Sequence, residues 1–215
     1  MTKTAAVSAL AALALLSPAR ARADAVDKGT FALGAERLTG MFHSEEKLDS
    51  GASQGTTSLA LLGNSGYSNV AGAWQFPRVG LDGFIIDGLS LGGSFVVMHR
   101  APEGGSQTDL LVAPRIGFAY MFSRVVGIWP RFSLAYWHQW LNSDQGPGER
   151  RNHSFAFGID VPLIIAPVKN FAITVGPLLD VSFGGKQTAD NGTGEATVDA
   201  SFTQFGLSAG VVGFL

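Results

Sequence analysis

The sequence predicts an all-β chain, an eight-stranded antiparallel up-and-down transmembrane β-barrel preceded by a cleavable signal peptide. Three observations carry that prediction. The N-terminus has a short apolar run with small residues behind it, most of the remaining chain alternates apolar and small or polar residues with period two, and hydropathy is positive without any helical span. Backbone polar groups in lipid are satisfied only by helices or closed barrels, so an apolar chain without helical spans points to a barrel.

Lys3 supplies a positive start, and Ala5 to Leu16 form an apolar run of about twelve residues, the length of a signal-peptide core and short of the roughly twenty a spanning helix needs. Pro18 and the small residues Ala21 and Ala23, separated by Arg22, follow. They predict cleavage before Asp24, with Val26 as a second option, so residues 1–23 are expected to be the signal peptide and 24–215 the barrel domain.

The composition narrows the function classes. The chain has no cysteine, which excludes disulfides, a lipid anchor on cysteine, thiolate metal sites and cysteine nucleophiles. The net charge is -2 and only Lys28, Lys47, Lys169 and Lys186 follow the signal segment, so there is no basic stripe for nucleic acid. Charged residues are 15% of the chain, below the share usual in soluble domains.

The strands are read in chain order. Gly29–Phe42 places Phe31, Leu33 and Ala35 against Ala32, Gly34 and Glu36, but Arg37 then falls on the apolar side, and a bulge near Arg37 or Leu38 restores the register. Val79–Ile86 follows, with a start as early as Val70 open, and then Leu89–Arg100 and Leu110–Phe122. Ile128–Trp140, Ser154–Ala166, Asn170–Gly184 and Ala200–Leu215 complete the eight. Alternation this long is strand behaviour, since a helix repeats every 3.6 residues.

The connections alternate in kind. Asp87-Gly88, Ser123 to Val126 and Pro167 to Lys169 are short turns, whereas His43 to about Asn69, Ala101 to Thr108, Leu141 to Arg151 and Gly185 to Asp199 are longer and polar. Tight turns at one end and longer loops at the other are the asymmetry of an outer-membrane barrel, with both termini on the periplasmic side.

The two faces differ in a way that assigns them. One is aliphatic and aromatic, with Tyr120, Phe122, Tyr136 and Trp140 toward strand ends, as lipid interfaces require. The other is mostly Gly, Ala and Ser with single charges at Glu36, Arg78, Asp82, Arg115, Arg131, Asp160 and Asp180. A soluble lipocalin-type barrel would carry many more charges on its outer face. The small-residue face is therefore read as the lumen, and its charges as a pairing network, because an unpaired buried ion is very costly. A narrow ion path lined by the same charges is the alternative.

On this layout the region from about Gly29 to Leu215 resembles the small eight-stranded outer-membrane barrels of the OmpA/OmpX type. The steps Gly34-Ala35-Glu36, Gly80-Leu81-Asp82 and Gly158-Ile159-Asp160 are similar to such barrels. Ser208, Gly210 and Val211 suit the family's C-terminal assembly signal, while Gly213, Phe214 and the terminal Leu215 depart from it. The resemblance implies outer-membrane lipids, the barrel-assembly machinery and periplasmic chaperones as partners, while the first external loop, Ser44 to Asn69, is rich in Ser, Gly and Asn and reads either as a solvated loop or as a contact for an extracellular ligand.

No chemistry-bearing constellation emerges, and neither a cofactor nor a metal site is expected. His43, His99, His138 and His153 lie in or beside the predicted external loops, and the last three project outward. His153 and Ser154 are adjacent, so in a strand they face opposite ways and cannot act together. Gly184-Gly185-Lys186 lacks the upstream glycine of a phosphate loop, and Asp190 to Glu195 matches no calcium-loop spacing. The function expected is a structural or surface-interaction barrel, with a narrow channel as the alternative and a lipid-modifying enzyme behind both.

Overall fold

In the computed structural model, residues 26–49, 51–61, 74–101, 103–143, 149–190 and 194–215 are described. The predicted signal segment, and Val70 as a strand start, lie outside them.

The described residues form twelve strands in one sheet: β1 Phe31–Leu48, β2 Ser53–Leu61, β3 Arg78–Ile86, β4 Leu89–Arg100, β5 Gly105–Phe118, β6 Tyr120–Met121, β7 Val126–Ile128, β8 Arg131–Ser143, β9 Arg150–Asp160, β10 Leu163–Val168, β11 Phe171–Asp190 and β12 Glu195–Phe214. The ladder runs β1-β3-β4-β5-β8-β9-β11-β12 and returns to β1, every pair antiparallel, which closes an eight-stave barrel. Four staves are interrupted. β2 with β3, β5 with β6, β7 with β8, and β9 with β10 each share one stave. Pro130 and Pro162 sit in two of these breaks, where a missing N–H ends a ladder.

Burial alternates along the staves as the period requires. On β11, Phe171, Ile173, Val175, Leu179 and Val181 are exposed while Ala172, Thr174, Leu178 and Asp180 are buried. In a soluble protein an exterior of exposed Phe, Leu, Ile and Val would be an aggregation surface. Wrapped around a closed barrel it is a lipid-facing belt. From Phe171 to Phe183 the apolar face spans roughly 30 Å of height for a stave tilted by about 40°, enough for a membrane hydrocarbon layer.

The bulge predicted near Arg37 is present. The β1–β12 register shifts between Ala35 and Thr39, and Arg37 takes a positive φ of 53°. The extra residue turns Arg37 into the lumen instead of lipid. The Asp87-Gly88 hairpin also forms, with Gly88 at φ 80°, a conformation that a side chain disfavours.

The external connections differ from the sequence reading. Of the segment expected to loop from His43 to Asn69, His43 to Leu48 continue β1 and Ser53–Leu61 form β2, paired from Lys47↔Ser53 to Thr39↔Leu61. Gly185 to Asp199 is likewise a hairpin, paired out to Asp190↔Glu195. The loops at Ala101 to Thr108 and Leu141 to Arg151 are shortened by β5 and by the ends of β8 and β9. Ser, Thr and Gly made these segments look like loops, but paired backbones tolerate polar side chains on both faces above the membrane.

Candidate functional site: the lumen and its charge cluster

The inward face is filled in layers. At the end that holds the C-terminal Leu215, Phe84, Trp129, Ile164, Val212 and Phe214 pack with inward alanines into an apolar floor, the Phe84 and Trp129 rings 5.6 Å apart. The terminal Leu215, by contrast, is 80% exposed.

Above the floor is the charge cluster. Arg115 Nε donates to Asp82 Oδ1 at 2.9 Å, its Nη1 donates to Glu36 Oε2 at 2.7 Å, and its Nη2 meets both carboxylates. Arg131 Nη1 donates to Glu36 Oε1 at 2.6 Å and its Nε to Asp160 Oδ2 at 2.6 Å. Glu36 on β1 therefore joins arginines of β5 and β8 across the barrel. Arg131 also lies over the Trp129 ring, 4.9 Å from its centroid, which ties the cluster to the floor.

Asp180 belongs to a second pair. Arg37 Nη1 and Nη2 donate to its two oxygens at 2.7 and 3.1 Å, the forked geometry in which a guanidinium matches a carboxylate. Arg37 Nη1 also donates to the Trp74 carbonyl at 2.6 Å. Arg78 Nη2 donates to the same carbonyl at 3.0 Å, its Nε has no hydrogen-bond partner, and it forms no ion pair among the described residues.

Of the seven charges read from the sequence, Glu36, Asp82, Arg115, Arg131 and Asp160 are brought into one network. Asp180 pairs elsewhere, and Arg78 is held by a carbonyl. Arg37 was missed, because its inward position depends on the bulge. The inward glycines make room: a Cβ on Gly80 would stand 2.6 Å from Glu36 Oε1 and 2.7 Å from Arg115 Nη2. The space left beside the cluster is a cavity of about 20 Å³, on the scale of a single water.

Above the cluster a second apolar layer includes Trp74, Phe76, Val96, Leu111, Trp137 and Phe202. Trp74, Gln75 and Phe76 reach it from the segment between β2 and β3, and the Trp74 and Phe202 rings are 4.9 Å apart. Their part in filling the lumen had no signal in the sequence, since the segment lacks period-two alternation. A polar layer caps this one. Asp109 accepts from Gln139 Nε2 at 2.8 Å and Trp137 Nε1 at 3.2 Å, and Gln139 Oε1 accepts from Asn152 at 2.9 Å.

The histidines lie on the outside. His43 meets Thr57 at 2.8 Å and His99 meets Thr108 at 2.9 Å, while His138 and His153 are cross-strand neighbours on β8 and β9. Ser154 is fully buried on the lumen side and His153 is on the lipid side, so the wall separates them. Among the described residues no three His, Asp or Glu side chains form a metal-binding group.

No protein-family model matches the chain, and no curated protein matches it in sequence. Solved structures similar in layout include Neisserial surface protein A, 14% identical with a TM-score of 0.48, covering 86% of this chain and 99% of that one. Ail, the attachment invasion locus protein of Yersinia pestis, is 14% identical with a TM-score of 0.40 and the same coverage. The N-terminal β-barrel domain of Pseudomonas aeruginosa OprF is 14% identical with a TM-score of 0.36, covering 83% of this chain and 98% of that domain.

Proposed function

We propose that this chain is exported through a signal peptide at residues 1–23 and that residues 24–215 serve in the outer membrane as a structural or surface-interaction barrel whose lumen carries no solute flow. The observation that carries this reading is the Glu36 bridge to both Arg115 and Arg131. A carboxylate held by two guanidiniums in mid-lumen, with an apolar layer on either side, costs several kcal/mol to part from them while the charges stay buried. Eight staves enclose a space that side chains can just fill. The roles left to such a barrel lie on its outside, in contact with lipid and through the hairpins that rise beyond the lipid belt. Assembly would use the barrel-insertion machinery and periplasmic chaperones.

A narrow ion channel is the second reading, favoured by the charged lining and the small cavity beside it. Planar-bilayer recordings on refolded residues 24–215 separate the two. Negligible steady conductance supports the closed barrel, and reproducible openings from the wild-type protein support the channel. A heat-dependent gel shift in outer-membrane fractions tests location and fold independently. No catalytic role is assigned: among the described residues His43 lies between the Thr57 hydroxyl at 2.8 Å and Glu45 at 3.9 Å, and no histidine is bonded to a serine.

A further inference from the structure

One charge is left over by the pairings inside the lumen. Arg37 and Asp180 neutralise one another. Arg115 and Arg131 face Glu36, Asp82 and Asp160, two positive charges against three negative. Arg78 supplies the balancing charge without touching any of the three. Its Nη2 donates to the Trp74 carbonyl at 3.0 Å, and its Nε is a buried donor with no partner. An unbonded donor on a buried cation is costly.

The carboxylate able to answer it lies on the same cavity. Arg78, Glu36 and Asp160 all line the space of about 20 Å³ beside the cluster. Glu36 and Asp160 keep 13% and 17% of their side-chain surface accessible, whereas Asp82 and Asp180, which do not line it, keep 2% and 1%. Both oxygens of Glu36 already accept from guanidiniums. Asp160 gives only Oδ2 to Arg131, and no hydrogen bond engages its Oδ1 among the described residues. The hydroxyl-bearing Ser94, Thr174 and Ser208 line the cavity too.

We infer that this cavity is a binding site for a single ordered water, which accepts from Arg78 Nε and donates to Asp160 Oδ1 and so joins the fourth arginine to the charge network. The volume fits, since one water needs about 10–15 Å³ of such space and makes about three hydrogen bonds. The lining hydroxyls supply the third. The charge fits as well. Arg37, Arg78, Arg115 and Arg131 are balanced by Glu36, Asp82, Asp160 and Asp180. A chloride would add an uncompensated charge in a site of low dielectric, and a water adds none. A water-mediated bond is nearly as favourable in enthalpy as a direct one, which accounts for a buried arginine that meets no carboxylate. The inference rests on the sealed lumen proposed above, because an open lumen would hold a file of waters instead of one.

The test is diffraction from crystals of refolded residues 24–215 soaked in sodium bromide, with data collected at the bromine absorption edge. The wild type is expected to show one peak within hydrogen-bond distance of Arg78 Nε and Asp160 Oδ1, without anomalous signal. Arg78→Met is expected to lose that peak while the heat-dependent gel shift persists, and the wild-type map decides alone should the variant fail to refold. An anomalous peak makes the cavity an anion site and overturns the inference, as does a wild-type cavity without density. A peak that survives Arg78→Met overturns the donor assigned to it. A file of waters running through the Phe84–Trp129 floor also overturns the single site, and it alone of these outcomes tells against the sealed lumen.

Discussion

Arg37 and Asp180 meet inside the barrel with Nη1 and Oδ2 2.7 Å apart although 143 residues separate them in the chain. Arg37 reaches the lumen only because β1 bulges there, at the cost of a left-handed backbone on a non-glycine residue. The pair ties the first stave to the seventh, on opposite sides of the β1–β12 closure.

Asp180→Leu is expected to lower stability by about 3–5 kcal/mol, because it strands the Arg37 guanidinium in a buried site. Arg37→Met combined with Asp180→Leu is expected to recover a large part of that loss. Arg131→Leu, which strips partners from Glu36 and Asp160 together, is expected to be at least as damaging as Asp180→Leu. Urea unfolding midpoints of the refolded barrel in micelles measure all four proteins.

Gly80→Val is expected to cost about 1–3 kcal/mol through overpacking, since its Cβ would press on Glu36 and Arg115. Gly184→Ala is the control, because nothing lies within 4 Å of a Cβ there. Comparable midpoints for the two variants would show that the inward glycines do not shape the cluster.

Trp74→Ala empties the upper lumen and is expected to cost about 3–5 kcal/mol. Conductance is expected to stay negligible, because the Glu36 bridge below is untouched. A variant that conducts steadily would move the seal from the charge cluster to the Trp74–Phe202 layer.

Deleting Gln187 to Val198 and joining Lys186 to Asp199 through a tight turn is expected to leave folding and the gel shift nearly intact. Those two residues are already ladder partners, and the deletion removes paired hairpin beyond them and the Gln187–Glu46 hydrogen bond. Shortening a closure changes its entropy only slowly with length. A deletion of the same length within Phe171–Phe183 is expected to abolish assembly, because it opens two sheet edges to lipid. Equal damage from both deletions would contradict the stave boundaries.

Period-two alternation made the eight staves, their lipid faces and the seven inward charges legible, because side-chain direction in a strand follows from position alone. The bulge was legible too, as a break in that period at Arg37. The order of the staves followed from the up-and-down reading and is the order observed, but contacts across the lumen were not legible. The alternation says that Glu36, Arg115 and Arg131 face inward, but only ring closure and register bring them to one height. Hairpin length was misread above the membrane, where neither face must be apolar and the two-residue signal disappears.

By itself, then, the sequence determined an eight-stave barrel with an apolar exterior and a charged lumen, since one residue's direction is a local property. Only the tertiary structure decided that Glu36 bridges Arg115 and Arg131, that Arg37 takes Asp180, that Arg78 rests on a carbonyl, and that Trp74 and Phe76 fill the upper lumen. Those are distances between residues far apart in the chain, and closure of the ring sets them.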